Sequence, residues 1–542
     1  MIMARRRSNR WIDSRYWLVP LILAGLIVWT RQITAGGFAG QENARCAMDG
    51  VFLHDLITHW PTGSIREWAC QYYAKLPCLG LVVHNPPFFG VVEAAAFLIF
   101  GISATVARGV VVGFGLVGLI SLYWVTRQLL DRESAIAAAA VWAGSASTVV
   151  WSRQVALQVP TVTMMLLCCG CYLAFRDNRK NSWLWGACLF YVLAVLTCPW
   201  AMGIGPVLLM DLWRSVGLRK VMSFWNVLGG AIVAGLVSGY FLFRGLYVGA
   251  GSQIIWPNVS SLRVLPDGLI RQLGWLGLAF SVIGLLLLAA MGRATKIRLA
   301  ILWITIFLVF ASIVPQGDAG FFYLVTPAAA ILIGGGFRCA VNGTQLRRPC
   351  EAIIAVMICW QFLVGWHADP GRPSDYRDAA AATVGEQGFQ LVLFDGIRDG
   401  QFVFDMRCVQ GYDGPCYVLR GSKMLYLQQP SGGYQELVTS VPEIRHLLDE
   451  YAIRTVVVES QAPAVSGPQG RIPRPGVLLR DVLHGSSQFQ MLRRFGIADK
   501  GAWRNVDLKV YLNRTAGKRR QNRIQIPVPA IGQSLEVALP PQ

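Results

Sequence analysis

The most constraining feature of the chain is a series of long apolar runs, at residues 18–28, 109–125, 273–291 and 299–314 among others, all between residues 16 and 366. A helix needs roughly 20 mostly apolar residues to cross a hydrocarbon core. A segment in lipid must also satisfy its own backbone groups, so helix is the spanning structure here. The runs predict a polytopic α-helical membrane protein. Composition agrees, because 54% of the 542 residues are hydrophobic and only 15% are charged, against about 25% charged in a soluble domain. The first run ends in Trp29-Thr30-Arg31 without a small-x-small cleavage site, so it reads as an anchor and not as a removable signal peptide.

A formal net charge of +19 raises the question of nucleic acid. The positions answer it, since the excess lies in short loops between apolar runs and in the tail at 518–523, where it sets membrane topology. Basic groups occur at Arg5–Arg15, Arg127/Arg132, Arg176/Arg179/Lys180, Arg214/Arg219/Lys220, Arg293/Lys296/Arg298 and Arg338/Arg347/Arg348. Taking each as cytoplasmic predicts about eleven spans, starting near residues 17, 108, 134, 160, 182, 199, 224, 271, 299, 320 and 351. That parity puts the N-terminus inside and everything after Trp366 outside. The short apolar stretch at 88–100 breaks the alternation if it crosses, so it is expected to be a juxtamembrane or re-entrant helix. The domain division expected is a membrane domain at 1–366 with a large first outer loop at 33–105, a soluble outer-face α/β domain at 367–515, and a disordered basic, Pro-rich tail at 516–542.

Past Trp366 the periodicity changes. Helices are expected at 376–384, 442–451 and 477–483, with strands at 389–394, 416–419, 455–458, 489–495 and 506–512, an alternation that reads as a small α/β sandwich. Asp395-Gly396 and Asp399-Gly400 read as turns. This domain carries no nucleophile elbow, P-loop or metal-ligand spacing, and the sequence assigns it no chemistry.

Several motifs carry less than their patterns suggest. The GxGxxG at 113–118 lies inside an apolar run with no strand before it, so close helix packing explains its glycines better than a dinucleotide does. Cys168, Cys169 and Cys171 fall mid-span with no His near, which suits small apolar packing and not a metal site. Cys46, Cys70 and Cys78 share the outer loop, and Cys408 and Cys416 share the soluble domain. An oxidising compartment would permit pairs there, Cys408–Cys416 among them, or leave them free. Asn258-Val259-Ser260 is a glycosylation sequon on the outer side.

The informative region is 41–108. If 41–58 is helical, Glu42, Arg45 and Asp49 share one face at the membrane surface, with Met48, Val51 and Ile57 on the apolar side. A carboxylate just outside a span can serve as general base toward an acceptor arriving from water. A solvated face with an internal salt bridge accounts for the same pattern. Pro86-Pro87 cannot sit deep in a helix and should start the re-entrant one. His84 and Asn85 then either point into the mouth of the bundle or simply cap a turn.

An acidic residue after the first span, an amphipathic juxtamembrane helix, Pro86-Pro87-Phe88, a lone Phe100-Gly101 and Arg108 at the next span, in that order, resemble the GT-C glycosyltransferases. The likeness is to the family-39-like group that contains protein O-mannosyltransferases and lipid A aminoarabinose transferases. Trp151-Ser152-Arg153-Gln154 followed by Gln158-Val159-Pro160 resembles that group's second outer loop. The resemblance implies an inverting transfer of a sugar from a polyprenyl-phosphate donor to a lipid, glycan or protein acceptor in the bilayer's outer face, with no cofactor required and any divalent cation undefined. It implies a bacterial inner-membrane setting and cell-envelope glycans as the acceptor class. Glu42 would be the base, with Asp49 as a second carboxylate. Arg153, Arg244 and Arg271, each at an outer span end, would meet the leaving phosphate or anchor the interface. His84, Asn85 and Gln158 complete the candidate substrate contacts, and no metal ligands are expected. The chain departs from the group where Gln41 replaces one of an acidic pair, where Gln158 and Cys198 replace charged residues, and where Phe321 stands for an Arg-Tyr element. A different donor or acceptor, or a weakened enzyme, would account for those losses. A lipid-linked-sugar transporter or an enzyme-derived binding or assembly protein are the competing classes.

Overall fold

The computed structural model describes residues 15–81, 85–215, 224–248, 264–312, 320–343, 347–384, 389–428, 434–461, 472–497, 506–528 and 533–541. The chain divides into two compact units that are both discontinuous in sequence. One comprises Met1–Ile33, Val111–Ser238 and Ile254–Ala368; the other comprises Thr34–Val110, Gly239–Gln253 and Asp369–Gln542. Residues 34–110 thus belong with the C-terminal domain and not with the spanning helices, unlike a linear division at 366.

The first unit is helical. Among the described residues, five helices are long and apolar enough to cross a membrane: Ala104–Leu129, Gln158–Asn178, Leu265–Ala290, Ala294–Ala311 and Phe321–Val341. A sixth forms if Arg132–Gly144 and Ala146–Ser152, bent by 62° at Ser145, are one broken span. This corrects the expected count of about eleven. Trp17–Thr30, Asn181–Val195, Gly229–Gly245 and Ala355–His367 are apolar but shorter, and the run expected near 199 is a 3₁₀ turn, Pro199–Gly203, leading into Ile204–Ser215. At 1.5 Å per residue, Trp17–Thr30 and Asn181–Val195 fall short of a roughly 30 Å hydrocarbon core, whereas Gly229–Gly245 and Ala355–His367 are apolar parts of the longer helices Phe224–Val248 and Arg347–His367.

The ends of these helices sort by charge. Arg298 reaches Asp211 at 2.6 Å and Arg176 reaches it at 3.5 Å, while Arg293 lies 3.9 Å from Asp131 and Arg338 pairs with Glu133. At the other ends, Arg153 donates to the Val28 carbonyl at 3.0 and 2.7 Å, Trp151 Nε1 donates to Gln272 at 3.1 Å, and the Arg31 guanidinium lies 4.3 Å from the centre of the Trp366 ring. Two of the three GxGxxG glycines are packing residues, as expected: a Cβ at Gly118 would lie 2.7 Å from Thr163 Oγ1 and one at Gly115 would lie 3.0 Å from Trp29, whereas one at Gly113 would meet nothing within 4 Å.

The second unit is built on a five-stranded sheet: β1 (Gln390–Asp395), β2 (Cys416–Arg420), β5 (Thr455–Glu459), β6 (Phe489–Gly496) and β7 (Asp507–Asn513), in the order β2-β1-β5-β7-β6. β1 pairs parallel with β2 and β5, whereas β7 pairs antiparallel with β5 and β6. Helix Val441–Glu450 buries Ile444 and Leu448, four residues apart on one face, against Leu391, Leu393, Val456 and Val458. Helices Tyr376–Val384 and Arg474–Gly485 match the expected elements.

Three differences matter. Asp399-Gly400 opens a helix, Asp399–Gln410, where a turn was expected. Asp395-Gly396 does turn the chain, pinned by Glu459, whose carboxylate accepts from Ile397 N at 3.0 Å and Arg398 N at 3.1 Å. The tail is ordered where disorder was expected: β8 (Arg523–Val528) and β9 (Gln533–Ala538) form a hairpin that buries Ile524, Ile526 and Val537 in the core. A further small hairpin joins β3 (Tyr426–Gln428) to β4 (Tyr434–Glu436).

The helices Gln41–Thr58, Ile65–Lys75 and Pro87–Phe100 pack within this unit. Asp55, fully buried, accepts from Arg407 at 2.5 and 2.8 Å and from Tyr72 Oη at 2.8 Å, which ties two of them to helix Asp399–Gln410. Arg108 holds the loop's start, donating to the carbonyls of Ala35 at 3.2 Å, Gly36 at 2.8 Å and Gly37.

Candidate active site

Helix Gln41–Thr58 presents the candidate carboxylates, but its polar face is not uniform. Glu42 is 70% exposed and pairs with Arg45 at 2.6 Å. Asp49, two turns on, is 2% exposed. One Asp49 oxygen accepts from Gly80 N at 2.7 Å and Leu81 N at 2.8 Å, and the other accepts from Asn85 Nδ2 at 2.9 Å. Asp49 therefore clamps the segment that leads to Pro86-Pro87, and Asn85 is part of that clamp. Burial pushes the Asp49 carboxyl up to about 7, although the donors from Asn85, Gly80 and Leu81 oppose the shift. Met48 and Val51 are buried as expected, whereas Ile57 is exposed.

Cations from the C-terminal domain gather around Arg45, the ion-pair partner of Glu42. Arg45 packs its aliphatic stem on Gly80 and lies in electrostatic range of Arg420 and Asp399. Arg420 binds Asp399 at 2.5 Å and the Pro77 carbonyl at 2.8 Å. Lys423 forms no ion pair among the described residues, and burial, reinforced by Arg420, lowers its ammonium to about 8. An anion arriving here would meet Arg45 and Lys423 in a partly desolvated setting, where charge-assisted hydrogen bonds are strongest. Arg420 and Lys423 were not legible in the sequence, because neither lies near Glu42 in the chain or belongs to a motif.

Sequence reasoning also missed Glu93. It is fully buried on helix Pro87–Phe100, and neither carboxylate oxygen has a hydrogen-bond partner. Burial pushes its carboxyl well above the usual range, and nearby Asp49 acts in the same direction. The signal was available: Glu93 is the single ionisable residue in a 14-residue apolar helix. The Pro-Pro expectation holds, with Pro86 as N-cap and Pro87 as the first helical residue.

The other candidates fall elsewhere. Arg153 is 3% exposed, and besides Val28 its guanidinium donates to the Ala368 carbonyl at 2.5 Å, so main-chain carbonyls already engage it. Gln158 opens helix Gln158–Asn178 with a buried Oε1 that has no partner. Arg271 is exposed, three residues before a break in its helix at Gly274, which has φ of 69°. Arg244 is half-buried on helix Phe224–Val248. His84 and the Asn258 sequon lie outside the described residues. Cys408 and Cys416 are both free, and no group of three or more His, Cys, Asp or Glu among the described residues could hold a metal.

A polytopic helical protein with a C-terminal α/β domain is the class that the fold defines. Residues 84–242 match the family described as dolichyl-phosphate-mannose-protein mannosyltransferase. Crystal structures of ArnT from Cupriavidus metallidurans superpose over 93% of this chain at 16% identity. The apo state gives a TM-score of 0.60 over 100% of that chain, and the state bound to undecaprenyl phosphate gives 0.61 over 99%. The Archaeoglobus fulgidus oligosaccharyltransferase tethered with an acceptor peptide matches at TM-score 0.53 and 11% identity, covering 82% of this chain and 69% of that one. The mycobacterial arabinofuranosyltransferase AftD matches at 0.54 and 14%, covering 94% of this chain and 42% of that one. No curated protein matches the chain.

Proposed function

We propose that the chain is an inverting glycosyltransferase that moves a sugar from a polyprenyl-phosphate carrier to an acceptor hydroxyl at the outer face of a bacterial inner membrane. The observation that carries this reading is the exposed Glu42 carboxylate paired with Arg45, which lies in electrostatic range of Arg420 and Lys423, on the helix whose Asp49 holds the 80–85 segment in place. The fold it shares with an undecaprenyl-phosphate-bound ArnT supports the choice of carrier.

In the reaction, Glu42 takes the acceptor's hydroxyl proton while that oxygen attacks the anomeric carbon from the face opposite the phosphate. The bond from the anomeric carbon to the phosphate oxygen breaks, and the phosphate leaves with the electron pair. Arg45 and Lys423 stabilise the charge that develops there. Written this way the step balances without a cofactor. Asp49 and Asn85 position the loop, while Arg244, Arg271 and Gln158 are candidates for contacts along the carrier. Arg153 serves to join helix ends.

The proposal includes an odd number of traverses, with the N-terminus inside and the C-terminal domain outside. It is supported by the sorting of helix ends: Arg176, Asp211, Arg298, Arg293 and Arg338 among acidic partners, and Arg31, Arg153, Gln272 and Trp366 at the other ends.

The test is release of polyprenyl phosphate from a panel of polyprenyl-phosphate sugars by the full chain in nanodiscs with acceptor extract. Wild type should release it, and Glu42→Gln should lose at least 100-fold in rate, the scale of a general base. Carrier binding with no release from any donor would reject the transferase in favour of transport or binding. Equal release by Glu42→Gln would reject the assigned base.

A further inference from the structure

Outside the carboxylate site, the second unit holds a cleft of about 370 Å³. Trp68 and Lys75 come from helix Ile65–Lys75, Tyr412 and Asp413 from the turn after helix Asp399–Gln410, Tyr417 from β2, and Phe389 from the chain just before β1. The aromatic walls are held by contacts with one another and with their neighbours. Tyr412 is stacked on His59 at 3.9 Å, its Oη accepts from Trp68 Nε1 at 2.8 Å, and Phe389 packs on Tyr417 with ring centres 5.2 Å apart. Polar groups interrupt the walls. Lys75 Nζ donates to the Tyr412 carbonyl at 2.5 Å, which occupies one of its three donors. Burial lowers its pKa, while Asp413 opposes the shift. Asp413 itself is exposed at the rim.

We infer that this cleft binds a pyranose ring of the acceptor glycan. In naming the sugar as part of an acceptor, the inference rests on the transferase reading. The size lies at the small end of ligand sites, which run from about 300 to 1,000 Å³, and the mix of aromatic walls with few convergent polar groups is what such sites show. A pyranose has an apolar face of C–H bonds and a rim of hydroxyls. Flat rings of Trp68, Tyr412 and Tyr417 suit the face. The free donors of Lys75 and the carboxylate of Asp413 suit the rim, donating to and accepting from hydroxyls in turn. A purely apolar ligand would leave the Lys75 ammonium desolvated without compensation, which is costly. Two groups of opposite sign within the cleft also disfavour a simple anion.

The test is saturation-transfer NMR on the full chain in nanodiscs, with methyl α-D-mannopyranoside and methyl β-D-glucopyranoside as probes. Saturation should reach the ring C–H protons of at least one glycoside. Tyr417→Ala should weaken its binding about tenfold and Asp413→Ala should weaken it severalfold. Tyr417→Phe, which keeps the ring, should bind as wild type and guards against a folding artefact. Glu42→Gln should bind as wild type. The inference is overturned if neither glycoside receives saturation from wild type, or if Tyr417→Ala and Asp413→Ala both bind unchanged. Polyprenyl-phosphate release without glycoside binding would remove this inference alone, and glycoside binding without release would remove the transferase reading alone.

Discussion

Three donors converge on Asp49, yet burial still leaves its carboxyl titrating near neutrality, at about 7. An unfolded aspartate titrates near 3.9, so between about pH 4 and pH 7 the native state holds a proton that the unfolded chain has lost. Stability from this group is therefore fully present below about pH 4 and falls as pH rises to about 7. Asp405, also raised by burial to about 7, acts in the same sense and remains in an Asp49 variant. Asp49→Asn should thus melt at progressively higher temperature relative to wild type as pH goes from 5 to 8, even though its amide forfeits the Asn85 bond. Parallel melting curves across that range would show that Asp49 does not titrate there. At this scale the sequence pointed to the right helix but could not rank its carboxylates. Glu42 and Asp49 look alike in a chain, and only the loop that folds over Asp49 separates an accessible base from a buried clamp.

At the scale of elements, helices Gln41–Thr58 and Pro87–Phe100 cross where two glycines meet two acids. A Cβ on Gly50 would lie 2.6 Å from the Glu93 Cβ, whereas one on Gly90 would approach nothing closer than 3.4 Å. Gly50→Ala should therefore separate the helices, costing about 1–3 kcal/mol and shifting Asp49 off the 80–85 segment. Gly90→Ala should be close to neutral. Thermal unfolding and carrier-phosphate release measured on both variants check this, and similar behaviour of the two would dismiss the close crossing. Element legibility followed periodicity. The Pro-Pro start and most of the sheet were readable because apolar runs and turn residues bounded them. Helix Asp399–Gln410 was not, because residues 399–407 are all buried and an all-buried helix has no polar face to set a 3.6-residue period. In the tail, Ile524 and Ile526 alternate with exposed Arg523 and Gln525, but the basic run and prolines around so short a stretch hid the pattern.

For the whole molecule, the topology is the claim on which the chemistry stands, since a base at Glu42 meets an outer-face acceptor only if the first loop and the C-terminal domain lie outside. Apolar length alone finds five or six crossings among the described residues, and an even count would return the C-terminus to the side of the N-terminus. The proposed topology needs an odd count. Two of the short apolar helices join a basic end to an uncharged or aromatic end: Asn181–Val195 follows Arg179 and Lys180, and the segment ending in Trp366 follows Arg347 and Arg348. Helices too short for an average bilayer can still cross where flanking residues snorkel or the bilayer thins, at a modest energetic cost. Fusions truncated after Ser215, Arg293 and Gly343 should then give fluorescent green fluorescent protein and inactive alkaline phosphatase. Fusions after Arg153, Ala368 and Pro541 should give the reverse. An active phosphatase after Gly343, or a fluorescent protein after Ala368, would break the odd parity and place Glu42 and the aromatic cleft away from any outer-face acceptor.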